Sequence, residues 1–346
     1  MKASTRIRRL ARIAMKVAWA LLDRNHPLLV HLTPMRRCNL SCAYCNEYDA
    51  VSKPVATDLM LSRIDKLADL GTAMMTISGG EPMMHPDLDL LVARGRARGM
   101  VVSLISNGYH LSPERIDRLS RAGLDHLQIS IDNVEPDDSS MKSLRLLEPK
   151  LQWLAERADF TVAINSIIGS GVKNPEDALV IARRARALGF MTSLGIVHDS
   201  HGQLRPLGGE DLRVYEELRH LGGRGVLRLN PLFQDNLAHG RPNSWSCRAG
   251  SRYLYVDEKG IVSYCSQQKG MPGKPLESYT REDIRREYRS KKACAPYCTV
   301  SCVQQIAVLD NWRSPQTAQA LFPLKTRVAP PNAPELGSRG DGLLAG

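Results

Sequence analysis

Between Leu28 and Val197, short apolar runs alternate with longer helical patterns, and this alternation limits the fold more than any other feature. Leu28–Leu32, Ala73–Ser78, Val101–Ser106, His126–Ile131, Thr161–Ile167 and Met191–Val197 read as strands. Leu59–Leu70, Leu88–Arg98, Pro113–Ala122, Leu144–Ala158 and Pro175–Leu188 read as the helices between them, with Asp211–Leu221 closing the series. Such a repeated strand–helix grammar demands right-handed crossovers and a mainly parallel sheet. Six strands are too few for a closed eight-stranded barrel. The expected class is α/β, a partial (β/α)6 TIM-like barrel followed by a small C-terminal cysteine-rich domain.

At 346 residues, the chain is long enough for one large catalytic domain and a smaller appended one. No apolar run approaches the length of a membrane span. The formal charge of +11 is spread through helical stretches without a nucleic-acid motif, so a solvated basic surface is expected rather than a nucleic-acid partner. No signal peptide is visible, which points to the cytoplasm. Residues 1–26 form a basic amphipathic opening, with Lys2, Arg6, Arg8, Arg9, Arg12 and Lys16 and no acid before Asp23. Ile7, Leu10, Ala11, Ala14, Val17, Ala18 and Leu21 recur at helical steps, with Trp19 at one side of the stripe. Two placements remain open: peripheral contact with an anionic membrane at its inner face, or a cover over the bottom of the catalytic domain. The barrel is expected over 27–222 and the cysteine-rich domain over 223–327, with Val226–Leu229 as a further strand. The Pro- and Gly-rich residues 328–346 are expected to be a disordered tail.

The eight cysteines fall into two groups with about 200 residues between them. Grouped thiols in a large chain without a secretory signal point to metal or cluster ligation rather than a disulfide framework. Cys38, Cys42 and Cys45 form a C-x3-C-x2-C array directly after the first strand. Three thiolates suit a [4Fe–4S] cluster and leave one iron open to a small molecule. Structural zinc is the competing reading, but it wants four ligands, and His31 lies upstream, where it would not easily complete such a site.

This array resembles that of the radical S-adenosylmethionine (SAM) superfamily, and the resemblance extends over about Leu28 to Val197. Ser78-Gly79-Gly80-Glu81-Pro82 follows the second strand, where the superfamily's GGE motif supports the methionine amino group. Asn107, Ser130, Asp132 and Asn165 lie at the ends of later strands, resembling the family's polar groups beside SAM. Ser130 and Asp132 would meet the ribose hydroxyls. Tyr44 is similar to the aromatic beside adenine. The resemblance implies SAM bound to an open iron, one-electron cleavage, and hydrogen abstraction from substrate by a 5′-deoxyadenosyl radical. A reducing partner such as flavodoxin or ferredoxin is expected with it.

In the second group, Arg252–Asp257 and Ile261–Tyr264 read as a hairpin turning at Glu258-Lys259-Gly260, which would bring Cys247 and Cys265 together. The C-x12-G-x4-C spacing through Cys247, Gly260 and Cys265 resembles the opening of the auxiliary-cluster domains called SPASM and twitch. Cys294, Cys298 and Cys302 depart from the full SPASM pattern, which carries more cysteines. The resemblance implies one auxiliary [4Fe–4S] cluster held by Cys247, Cys265 and two of the last three thiols, with zinc as the competing occupant.

Neither barrel nor auxiliary cluster names a substrate. Oxidative modification or dehydrogenation of an unknown substrate is the leading expectation, with radical modification of a ribosomal peptide as one alternative. The basic opening, RCNLSCAYC and the LNPLF stretch at Leu229–Phe233 also look like the radical enzymes that add adenosyl to hopene, which makes membrane-proximal lipid chemistry another. His198, Asp199 and Asp235 are open between substrate alignment and ordinary turns.

Overall fold

The computed structural model describes residues 3–169, 171–197, 206–221 and 231–311. His198, Asp199, the proposed strand Val226–Leu229 and the tail from 328 lie outside the described residues.

The strand–helix alternation folds as an open parallel sheet. β1 (Leu29–Leu32), β2 (Met74–Ile77), β3 (Val101–Ser106), β4 (His126–Ser130), β5 (Thr161–Gly169) and β6 (Met191–Val197) pair in chain order, all parallel. The register sets Leu29 beside Met74, Met74 beside Val101, and Ser103 beside His126. Every carboxyl end therefore lies on one edge, where a parallel α/β sheet places its ligands.

α1 (Ala3–Leu22) precedes the sheet, and α2 (Thr57–Asp69), α3 (Leu88–Ala97), α4 (Pro113–Ala122), α5 (Leu144–Arg157) and α6 (Asp177–Ala187) connect its strands. Each crossover helix buries a stripe at helical spacing: Met60, Ile64 and Leu67 on α2, and Leu147, Leu151 and Leu154 on α5. Local chemistry sets the ends of α4. Ser112 Oγ accepts from the Arg115 N–H at 3.2 Å, Pro113 opens the helix, and Gly123 closes it at φ 87°.

α1 lies across the amino-terminal edge of the sheet. Arg9 and Arg12 both reach the buried Asp125 carboxylate just before β4, and Arg9 donates to the Asp159 carbonyl just before β5. Ala20 is buried beneath the start of β1.

After β6 come α7 (Gly209–Leu221) and α8 (Pro231–Ala238), the latter containing Leu232 and Phe233 of the LNPLF stretch. Asp235 is not an open turn residue. It accepts from the Tyr215 hydroxyl and pairs with Arg219 at 2.7 Å, joining α7 to α8.

The cysteine-rich segment extends the same sheet. β7 (Tyr253–Val256) pairs parallel with β1, then β8 (Ile261–Ser263) and β9 (Pro272–Pro275) follow antiparallel. The expected hairpin is thus present, and β9 adds a strand to it. α9 (Arg281–Arg289) opens on a Thr280/Asp283 capping box and α10 (Ser301–Asp310) follows. Leu28, Leu29 and Ala73 of the sheet share one buried cluster with Cys247, Cys265, Tyr253, Val303 and Ile306. At its centre Arg252, fully buried, pairs with Asp310 at 3.2 Å and donates to the Ala20 and His26 carbonyls.

Candidate active site at the carboxyl edge

The loop carrying Cys38, Cys42 and Cys45 leaves the end of β1. Its stem is tied by the Cys38 N–H on the Asp49 carbonyl at 3.1 Å and the Asp49 N–H on the Arg36 carbonyl at 3.0 Å. Its tip is tied by the Cys45 N–H on the Cys42 carbonyl and the Ala43 N–H on Ser139 beyond β4, both 3.0 Å. All three thiols are free. Burial pushes the Cys38 thiol up, and the charges of Glu81, Cys45 and Cys42 push it further. Burial likewise raises Cys45, with Glu47 and Cys42 adding and the Glu47 N–H and Lys142 opposing.

The Gly-Gly-Glu turn presses against this stem. The Gly80 N–H donates to Met35 at 3.1 Å and the Glu81 N–H to Arg37 at 3.0 Å. A Cβ on Gly79 would meet the Met35 carbonyl oxygen at 2.6 Å, and one on Gly80 the Arg36 and Arg37 oxygens at 2.2 and 2.3 Å. Gly79 also holds φ at 124°, where side chains are strained. Glu81 is fully buried. Its Oε1 accepts from Met83 N–H at 2.9 Å and Ser106 Oγ at 2.8 Å, and its Oε2 from Asn107 N–H at 2.7 Å. Burial raises its pKa and these donors oppose the rise. Oε2, with one donor, keeps acceptor capacity for a further cation.

Asn107 reaches back across the edge: its Nδ2 donates to Asn39 Oδ1 at 2.9 Å and lies 3.7 Å from the Cys38 sulfur. Asp132, beyond β4, accepts from the Tyr44 hydroxyl and from Ser140 Oγ at 2.7 Å. Its second oxygen, Oδ1, is buried with no hydrogen-bond partner among the described residues. Ser130 pairs in register with Asn165, whose Oδ1 accepts from Ser193 at 2.8 Å. Asn165 is therefore tied to β6 by its side chain, while its carbonyl accepts from the Ile131 N–H at 2.9 Å, one residue before Asp132.

Sequence reasoning missed Lys142. It lies 3.0 Å from Asp132, donates to the Tyr44 hydroxyl, and sits 4.9 Å over the Tyr44 ring. Burial works against its ammonium, but the Asp132 carboxylate and the hydrogen bond to the Tyr44 hydroxyl prevail and hold its pKa well above the usual lysine value. Burial pushes the Tyr44 phenol up strongly, so it stays protonated and donates. Lys142 stands in an irregular stretch before α5, where no periodicity marks it; Ser140, 3.6 Å from the Cys42 sulfur, was missed for the same reason. Beside them, Ser41, Pro136, Asp137, Asp138, Ser140 and Met141 line a cavity of about 320 Å³.

These residues fit a [4Fe–4S] cluster with SAM: three free thiols on one loop supply soft donors, the glycine cradle brings backbone close, and Asp132 Oδ1 awaits a donor. Among the described residues no three His, Cys, Asp or Glu side chains already stand in position around a single metal ion. Residues 32–199 match the family described as the Radical SAM superfamily. This segment of the chain is a radical SAM one. It is similar to the PqqA peptide cyclase of Granulibacter bethesdensis, 31% identical over 169 residues, covering 47% of this chain and 44% of that protein. It is also similar to the AdoMet-dependent heme synthase of Methanosarcina barkeri, 31% identical over 172 residues, covering 48% and 49%. The chain thus matches less than half the length of either of these relatives. Among solved structures, Streptococcus suis SuiB shares the fold at a TM-score of 0.58 and 14% identity, covering 78% of this chain and 69% of that one. Native anSMEcpe with bound AdoMet and a Cp18Cys peptide gives 0.55 at 14% identity, covering 81% and 88%.

Four of the second group's thiols border the buried cluster where β1 meets the hairpin: Cys247 and Cys265 lie within it, and Cys298 and Cys302 pack against it. Cys247 and Cys265 are buried, Cys298 and Cys302 half-buried, and Cys294 exposed. Burial pushes Cys298 up to about 12, with the charges of Cys247, Cys265 and Cys294 adding. Cys265 rises to about 11 by burial, with Cys247 and Cys294 adding. Cys302, in the first turn of α10, rises to about 11 by burial, partly offset by its own N–H. The two groups are bridged: the Tyr255 hydroxyl donates to Glu47 Oε1 at 2.8 Å, and Lys269 pairs with Glu47 at 3.3 Å.

Proposed function

We propose that the chain cleaves SAM at a [4Fe–4S] cluster held by Cys38, Cys42 and Cys45, and oxidatively modifies a ribosomal peptide. The observation that carries the radical site is the glycine turn packed backbone to backbone against the cysteine stem. The peptide is supported by the relatives: PqqA peptide cyclases match at 31–38% identity, and both SuiB, solved with its precursor peptide SuiA, and anSMEcpe, solved with a peptide, share the fold.

When bound, the cluster and SAM supply one-electron cleavage to a 5′-deoxyadenosyl radical that takes hydrogen from the substrate. The chain's own residues bind and orient. Glu81 offers Oε2 to the methionine ammonium, and its three donors fix that carboxylate in place. Asp132 offers its unpartnered Oδ1 to a ribose hydroxyl, while Lys142 and Ser140 hold the other oxygen. Tyr44, fixed by Asp132 and Lys142, presents its ring for adenine. Asn107 places a donor near the Cys38 sulfur. Burial of these groups excludes water from a reactive intermediate.

The second proposed site is an auxiliary [4Fe–4S] cluster on Cys247, Cys265 and two of Cys294, Cys298 and Cys302. In support, Cys247 and Cys265 lie in one buried cluster, with Cys298 and Cys302 packed against it. It would accept an electron or contact substrate. Flavodoxin or ferredoxin is proposed as reductant of the first cluster. No helix among the described residues is long and apolar enough to cross a membrane.

The test is anaerobic turnover of reconstituted protein with SAM, dithionite and the peptides encoded beside its gene. The expected result is 5′-deoxyadenosine together with a peptide that has lost a pair of hydrogens. Deuterium transfer into 5′-deoxyadenosine from a lipid or soluble-metabolite fraction, with every peptide unchanged, would overturn the peptide reading.

A further inference from the structure

Helix α1 turns Arg9 and Arg12 inward. Arg9 and Arg12 lie against the protein on Asp125, whose side chain is fully buried, and Leu21 packs onto the core beneath β1. On the opposite side, every exposed residue from Leu10 to Leu22 is apolar. Leu10, Met15, Trp19 and Leu22 are 48, 59, 68 and 71% exposed, with Ala11, Ala14 and Ala18 between them at helical spacing. A helix resting on a soluble protein normally shows water its charges and hides its apolar stripe. Here the arrangement is reversed, and a contiguous apolar strip marks a contact surface.

The surroundings of the strip specify the partner's charge. Residues 1–22 contain no acid, and the first, the exposed Asp23, accepts from the Asn25 N–H and Nδ2 at 2.9 and 2.8 Å. Arg24, Arg121 and Arg285 are exposed at the same edge: Arg24 follows the helix, Arg121 ends α4 just before Asp125, and Arg285 contacts Asn25 at 3.4 Å. An apolar stripe with a tryptophan and a cationic frame matches a bilayer interface with anionic headgroups. We propose that α1 is a monotopic anchor that seats the protein on an anionic membrane by the amino-terminal edge of its sheet.

This placement fixes an orientation. α1 contacts the residues just before β4 and β5, whereas the cysteine loop, the Gly-Gly-Glu turn, Asn107 and Asp132 follow the carboxyl ends of β1 to β4. With the base on the bilayer, the candidate active site opens to the aqueous phase. A substrate arriving from water can enter it while the protein stays bound. The inference does not depend on the peptide reading.

The test is co-sedimentation of the full chain with sucrose-loaded vesicles of phosphatidylcholine, with and without phosphatidylglycerol. The expected result is binding to the anionic vesicles that weakens at least roughly tenfold on the neutral ones. A variant carrying Leu10→Ser, Met15→Ser, Trp19→Ser and Leu22→Ser, with unchanged circular dichroism and iron content, should bind about a hundred-fold more weakly. As a second readout, brominated lipid should quench tryptophan fluorescence in the wild type and much less in Trp19→Phe, which still binds. No vesicle binding by the wild type, or equal binding by the quadruple variant, overturns the proposal. So does a wild-type dimer that ignores vesicles and dissociates in the variant, because it assigns the face to a second copy of the chain.

Discussion

Gly80 and Arg37 touch backbone to backbone: a Cβ on Gly80 would lie 2.3 Å from the Arg37 carbonyl oxygen, one residue before Cys38. The turn after β2 and the stem of the cysteine loop therefore form one unit. Gly80→Ala must push them apart, since the three nearest atoms it would meet, from Arg36 and Arg37, all belong to backbone. Overpacking of this kind costs about 1–3 kcal/mol. The expected outcome is a lower melting temperature and loss of iron from the first site, read by thermal denaturation and iron analysis. Wild-type values for both would show that the turn and stem are independent.

Lys142 provides the second prediction. Removing one member of a buried ion pair leaves the other charge uncompensated, which costs about 3–5 kcal/mol. Lys142→Met should reduce the unfolding free energy by that order and weaken SAM binding, because Asp132 and Tyr44 lose their common partner. Adding Asp132→Asn should recover part of the stability but none of the affinity. A double variant as unstable as the sum of the single ones would show that the pair is not coupled.

Much of this arrangement was legible beforehand, and the reasons divide cleanly. The strands were legible because each is a short apolar run between turn residues, and the parallel order follows from helical crossovers. The cysteine loop and Gly79-Gly80-Glu81 were legible because spacing and chain position coincide. Lys142 and Ser140 were not, since they act from an irregular segment where contact depends on loop geometry alone. For α1, apolar periodicity showed an amphipathic helix but not which side docks. Asp125, far along the chain and buried, draws Arg9 and Arg12 inward, and nothing local to α1 records that. The join between the cysteine-rich segment and β1 was hidden too, because strand pairing across more than 200 residues leaves no local trace.

At the second cysteine group, Cys247→Ala with Cys265→Ala should remove about four iron atoms per chain while leaving the first site loaded. Among single Ala variants of Cys294, Cys298 and Cys302, two should lose that iron and one should retain it. Zinc in place of iron in anaerobically purified protein, or full iron in all three single variants, would contradict the auxiliary cluster.

His31 gives a pH signature. Burial on β1 pushes its imidazole down to about 4, and its Nε2 has no hydrogen-bond partner among the described residues. Its folded pKa lies below the unfolded value of about 6.5. The unfolded chain therefore takes up the proton first, so the contribution of His31 is complete above about pH 6.5 and is lost as pH falls towards 4. Apoprotein stability measured by urea should drop across this window, by up to roughly 3 kcal/mol from this residue. In His31→Gln that part of the drop should vanish, while His126, also pushed down to about 4, still contributes in both proteins. Identical pH slopes in the two proteins would contradict the assignment.

The most direct measurement is electron paramagnetic resonance of the reduced, reconstituted protein before and after SAM is added, compared with Cys38→Ala/Cys42→Ala/Cys45→Ala. The wild type should give a [4Fe–4S] signal that shifts on SAM binding and should release 5′-deoxyadenosine. The triple variant should lose that signal and the product, and keep only iron bound elsewhere. A triple variant with the same SAM-responsive signal and undiminished 5′-deoxyadenosine would contradict the account at its centre.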